Sequence, residues 1–202
     1  MLGKGLFISA TLTVACGGTF DKGYFGGCIV YETEYQTAAG ETLRFAVKPK
    51  SWLYVQGNNL KFYDRKKQPE SLYLGDKNEL YRFEQKQAVL VADTGRPMPR
   101  PAQTCLPTTV TILGHPCQVL RLVQGSNATL VFYSPEVRIN AADFRHCALP
   151  GWYALLQATD GALPLRTITV DAQHDITATQ EAISIEPMLL AATDFTATAP
   201  AR

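Results

Sequence analysis

The chain reads as a mainly β protein, an antiparallel sheet or barrel with little helix. Three observations predict this: apolar and polar residues alternate in short segments from Cys28 onward, turn residues punctuate those segments every few positions, and helical periodicity is nearly absent. With 202 residues, 46% hydrophobic and 18% charged, the chain has the material for one folded core and is unlike a disordered sequence. A formal net charge of +1 offers no overall attraction to nucleic acid and disfavours DNA or RNA binding.

The elements follow in order. Ile29, Tyr31, Thr33 and Tyr35 share one face of a strand, with Glu32, Glu34 and Gln36 on the other. A turn at Ala39-Gly40 leads into Leu43, Phe45 and Val47, which predicts a hairpin. Strands are expected at 53–56, 60–64, 72–74, 80–84 and 88–91, broken by Gly57-Asn58-Asn59 and Gly75-Asp76. Residues 95–107 hold Pro97, Pro99, Pro101 and Pro107, which cannot donate to a ladder, so this stretch is expected to be a long loop. Strands at 109–113, 118–123 and 129–133 form a meander, and 152–157, 163–170 and 176–185 give three more. Residues 140–146 are the best helical turn, with Asn140 as its cap.

The N-terminus carries Lys4 ahead of an apolar run, Gly5 to Ala15, which is too short to span a bilayer and matches a secretory signal. It ends at Thr13-Val-Ala-Cys16-Gly17, similar to a bacterial lipobox in which Cys16 becomes the lipidated residue. Thr13 stands where a lipobox prefers Leu, so ordinary cleavage and an uncleaved strand, in which Leu6, Ile8, Ala10, Leu12 and Val14 alternate, remain open. The expected organisation is a signal segment 1–16, a short tether 17–26, a single β domain 27–196 and a tail 197–202. Cys28, Cys105, Cys117 and Cys147 are candidate disulfide cysteines in an exported chain, and at least one bridge is expected; four buried thiols are the alternative.

The sequence contains no Gly-x-Ser-x-Gly, Walker loop or His-Glu-x-x-His. Cys105, His115 and Cys117 lack a fourth soft ligand for zinc, and His146-Cys147 are strand neighbours whose side chains diverge, so no catalytic residue, metal or cofactor is predicted. Aromatic residues on strands are abundant. Most are expected in the core, and Tyr31, Tyr35, Phe45, Trp52, Phe62, Phe83 and Trp152 are the candidates for lining a ligand cavity. Nine Lys and Arg side chains from Lys48 to Lys86 give a basic first half, read mainly as a solvated face.

Several motifs occur together in a family-like order. They are Gly27-Cys-Ile-Val-Tyr-Glu-Thr-Glu-Tyr35, Ile112-Leu-Gly-His-Pro-Cys-Gln118, Val131-Phe-Tyr-Ser-Pro-Glu136, Ala148-Leu-Pro-Gly-Trp-Tyr-Ala-Leu155 and Ala192-Thr-Asp-Phe195. On these the chain resembles the LolA/LolB-like periplasmic superfamily, and more closely its uncharacterised GLPGLI-type relatives from Bacteroidetes. The resemblance implies a strongly curved antiparallel sheet forming an unclosed β-barrel, with short helices across the concave face and a cavity that in the better-known relatives accepts lipoprotein acyl chains. Two features depart from the pattern: no helical lid is evident, and residues 95–107 are unusual. The expectation is a non-enzymatic periplasmic or outer-membrane lipoprotein that binds a lipid or other apolar ligand. The alternatives are an envelope protein–protein or structural module, and an enzyme of unknown class.

Overall fold

The computed structural model describes residues 23–43, 48–91 and 101–197. They form one strongly curved, unclosed antiparallel sheet of eleven strands with very little helix, as the sequence predicts. The strands are β1 (Gly27–Thr37), β2 (Lys50–Gln56), β3 (Asn59–Tyr63), β4 (Pro69–Leu74), β5 (Glu79–Glu84), β6 (Gln87–Leu90), β7 (Ala102–Ile112), β8 (His115–Gln124), β9 (Asn127–Arg138), β10 (Ala162–Asp171) and β11 (Ile176–Pro187). Their order across the sheet is β6-β5-β4-β3-β2-β1-β11-β10-β9-β8-β7. Two meanders are thus laid side by side. The first runs outward from β1 and the second returns inward, so that β11 pairs with β1 from Gly27↔Pro187 to Thr37↔Ile176.

The segment between β9 and β10 crosses one face of the sheet and carries most of the helical structure. Asn140 caps a 3-10 turn, Ala141–Phe144, as expected: its Oδ1 accepts from the Ala142 N–H at 3.2 Å and its Nδ2 donates to Asp143 at 3.0 Å. Then comes α1 (Trp152–Ala158), entered through Gly151 in the left-handed conformation. Residues 152–157 were expected as a strand, and the structure corrects this. Trp152, Leu155 and Leu156 stand at i, i+3 and i+4, so helical coiling gathers three apolar side chains towards the sheet where a strand would split them between two faces.

The crossover fills the space beneath it. Phe144, Leu156, Ile139 and Leu163 are fully buried against Ile29, Leu53, Leu60 and Tyr73 of the first meander. The Tyr73 and Phe144 rings lie 5.8 Å apart, and Trp152 meets Phe62 edge-on at 5.7 Å. Curvature is introduced at irregularities in register, between Val30 and Tyr31 on β1 and between Ala162 and Arg166 on β10. The second site has a specific clasp: Pro164 offers its carbonyl to the buried Tyr31 hydroxyl at 2.9 Å.

The proline-rich loop needs a second correction. Residues 95–100 lie outside the described residues, but Ala102–Ile112 is a strand, not a loop. Pro107 is tolerated because β7 is an edge strand and because the β7–β8 register skips between Leu106 and Thr109, so the missing N–H falls in a bulge. The expected hairpin after Ala39-Gly40 is present at its turn end, where Gln36 bridges Thr42 and the Leu43 N–H donates to the Tyr35 carbonyl at 2.8 Å; residues 44–47 lie outside the described residues, and the regular ladder with β1 is made by β2, from Lys50. The predicted tether also reaches into the fold, since Phe25 packs on the core and its N–H donates to the Arg138 carbonyl at 2.6 Å. The signal segment and Cys16 lie outside the described residues.

No disulfide forms among the described cysteines. Cys28, Cys117 and Cys147 are buried free thiols and Cys105 is an exposed one. Register explains one failed pairing: Cys105 pairs with Leu120 and Cys117 with Val110 on adjacent strands, which places the two sulfurs on opposite faces.

Candidate functional site

Pairing registers define which side chains share the face that carries α1. Leu120 and Leu122 of β8 stand opposite Val131 and Thr129 of β9, and these stand opposite Thr167 and Thr169 of β10. Near the Tyr133 end, Leu155 and Ala158 of α1 pack on this surface together with Leu120, Val131 and Ala162. Beside the first turn of the helix lies a groove of about 390 Å³. Leu122, Val131, Trp152 and Leu155 supply its apolar walls, while Gln124, Asn127 and the three threonines supply polar groups. The Thr129 and Thr169 hydroxyls meet at 3.2 Å across the floor. The groove is therefore apolar along its length with a small set of neutral hydrogen-bonding groups, the composition typical of a small-molecule site.

The seven aromatic candidates do not converge on it. Trp152 alone lines the groove; its ring is held by Phe62, and its indole N–H is buried with no partner among the described residues. Leaving such a group unpaired costs about 1–3 kcal/mol, which burial of the large ring offsets. Tyr31 is buried and bonded to Pro164, a structural role. Tyr35 is half-buried further along β1, and Phe45 lies outside the described residues. Trp52 and Phe83 face the other side of the sheet, where Lys67 lies 5.7 Å from the Trp52 ring and Lys61 lies 5.9 Å from the Phe83 ring. The groove residues that sequence reasoning missed are Leu122, Thr129, Val131, Leu155, Thr167 and Thr169. Alternating threonines are ordinary strand residues, and only the i, i+3, i+4 spacing around Leu155 was available as a signal.

That other side has its own closure. After β11 the chain crosses β1 and β2: the Met188 N–H donates to the Gly26 carbonyl and the Leu190 N–H to Gln56 Oε1, each at 3.1 Å. Further on it passes over β3, where buried Lys61 donates to the Asp194 and Thr196 carbonyls at 3.2 Å each and Phe195 is buried. Burial holds the Lys61 ammonium below its ordinary range, opposed in part by the nearby Asp194 carboxylate.

Among the described residues the buried thiols are not activated. Burial raises the thiols of Cys28 and Cys117 and pushes Cys147 up to about 11, so these sulfurs are protonated at neutral pH. The Cys117 thiol donates to the His115 backbone carbonyl at 3.4 Å, while the His115 ring is engaged by Glu136 at 2.7 Å. Among the described residues no three His, Cys, Asp or Glu side chains gather to hold a metal, and no helix is long and apolar enough to cross a membrane.

No family model matches the chain, and no curated protein sequence matches it. Similar solved structures include PNGF-II, at 14% identity and TM-score 0.48, over 82% of this chain but 29% of that one. An uncharacterised conserved protein from Thermus thermophilus is 12% identical with TM-score 0.43, covering 82% of this chain and 83% of the other. A candidate outer-membrane lipoprotein-sorting domain from Vibrio parahaemolyticus is 11% identical with TM-score 0.29, covering 84% and 89%. The chain thus spans less than a third of PNGF-II, and at these identities and TM-scores none of the three defines its family.

Proposed function

We propose that this is a non-enzymatic envelope protein that binds a slender apolar ligand, such as one acyl chain of a lipid, in the groove beside α1. One observation carries the reading: on a sheet face otherwise filled by the crossover, a concavity of about 390 Å³ remains, walled by Leu122, Val131, Trp152 and Leu155. This lies at the small end of ligand sites, roughly 300–1,000 Å³, and suits one chain better than several. The ordered LolA/LolB-like motifs and the signal-like N-terminus with Cys16 support placing the protein in the periplasm or at the outer membrane. Lipid mass spectrometry of solvent extracts from the native protein tests the reading. A stoichiometric acyl compound is expected from the wild type. Leu122→Asp, at a half-buried wall position, should reduce recovery about tenfold or more, because a carboxylate desolvated by an acyl chain is strongly disfavoured. Empty wild-type protein would sink the proposal.

A second reading, a module that recruits an envelope protein through its sheet edge, is favoured by β7. Its sequence from Ala102 to Ile112 contains no charged residue, and its outer edge is unpaired among the described residues. Edges so long and uncharged are prone to strand addition. A photo-cross-linking residue at Gln103 should then capture one discrete envelope protein in cells, and a profile lacking such an adduct removes this reading.

A further inference from the structure

Resting on the groove reading above, we propose that the groove selects an uncharged ligand: an acyl chain borne by an ester, amide or hydroxyl head, in preference to the ionised carboxylate of a free fatty acid. None of the described residues lining it is ionisable, and its polar groups are the hydroxyls of Thr129, Thr167 and Thr169 with the amides of Gln124 and Asn127. These donate and accept hydrogen bonds but cannot balance a charge.

The charged side chains of the same strands are turned away or committed. Arg121 stands in register between Thr104 and Leu130, on the opposite face from its neighbours Leu120 and Leu122. Arg166 also projects from that face, over the Phe132 ring, and is held by Glu181 through two bonds of 2.7 and 3.0 Å. Asp171, beside Asn127 at the groove end, accepts from the backbone N–H groups of Gln173 and His174 and contacts His174 Nδ1 at 2.6 Å. On α1, the first N–H, that of Trp152, is already given to the Leu149 carbonyl. An ionised head would therefore lose water and find no counter-charge among the described residues, whereas an ester, amide or hydroxyl finds partners in the threonines. The Thr129–Thr169 hydroxyl pair is suited to this, since each hydroxyl rotates to donate or accept.

The test is displacement of N-phenyl-1-naphthylamine, an uncharged fluorescent probe, from the full chain at neutral pH by 1-monolauroylglycerol and by dodecanoate, which carry the same acyl chain. The glycerol ester is expected to displace the probe at a concentration about tenfold or more below that of dodecanoate. Thr169→Lys, which places an ammonium on the groove floor, is expected to narrow or reverse that gap by tightening dodecanoate. Equal or tighter binding of dodecanoate to the wild type overturns the neutral-ligand inference and leaves the groove reading standing. A preference for the ester that Thr169→Lys does not alter also overturns it, because the selection would then arise elsewhere. Failure of the probe to bind, or of both compounds to displace it, overturns the groove reading itself and the inference with it.

Discussion

Phe144→Ala is expected to lower the unfolding free energy by about 3–5 kcal/mol, the range for truncating a large buried side chain whose surroundings cannot close in. Phe144 is completely buried at the end of the Asn140-capped turn, and its ring faces Tyr73 at 5.8 Å. Tyr73 has little freedom to follow. It is paired with Leu60 on one side and Leu80 on the other, and its hydroxyl is bonded to Asn78 Oδ1 at 3.2 Å. The cavity left by the missing ring therefore persists. Urea denaturation should show a lower midpoint with an unchanged slope, and Phe144→Leu should lose only about a third as much. The same substitution bears on the groove, because Phe144 and Leu156 seat the crossover that carries α1 and its wall residues Trp152 and Leu155. Probe binding should weaken in the folded variant. A loss under about 1 kcal/mol would mean that the crossover does not close the core.

Much of the fold is legible in the sequence because strands write their burial with a period of two. Ile29 and Tyr31 alternate with outward residues as expected, and Gly57, Gly114 and Gly125 mark hairpin turns by supplying positive φ. The Asn140 turn is legible for a different reason, since a capping side chain acts on backbone groups two residues away and needs no tertiary partner. Helix α1 is not legible in this way. Seven residues give two turns, too few for a helical period to stand out from the alternation of Trp152, Ala154 and Leu156. Pro107 misleads because a rule for central strands does not bind an edge strand with a bulge.

The site was harder to read for a topological reason. Aromatic residues identify burial but not the face on which it occurs. Trp52 and Phe62 lie on adjacent strands, yet in register Trp52 stands opposite Tyr63 and Leu53 opposite Phe62, which sends the two rings to opposite sides. The groove depends on residues brought together from β8, β9, β10 and α1, whose meeting is set by register shifts near Pro164 and by the path of the crossover. Neither is written locally in the residues that line it.

Lys61 offers the second large effect, and it lies on the face away from the groove. Lys61→Ala is expected to cost about 2–4 kcal/mol, whereas Lys61→Met should cost clearly less. The ammonium serves two carbonyls of the C-terminal segment, Asp194 and Thr196, and lies 5.4 Å from the Tyr63 ring. Alanine removes both the donor and the buried stem. Methionine keeps the stem and abolishes the desolvated charge. The pH dependence distinguishes this account from simple packing. Because burial depresses the Lys61 value below its ordinary 10.5, the unfolded chain binds this proton more tightly than the folded one. The penalty is complete below the lowered value and fades as pH rises towards 10.5, so the Lys61 contribution to stability should increase across that window. Tyr54 and Tyr73, pushed up to about 12 chiefly by burial, act in the opposite sense. Their contribution is complete below the unfolded tyrosine value of about 10 and is lost as pH rises towards 12. The buried thiols of Cys28, Cys117 and Cys147, also raised by burial, act in the same sense as the tyrosines from about pH 9, so the Lys61 contribution is read as the difference between two profiles. In chemical denaturation across the alkaline range the stability of the wild type relative to Lys61→Met should rise towards pH 10.5, and a difference that stays flat would rule out a depressed Lys61.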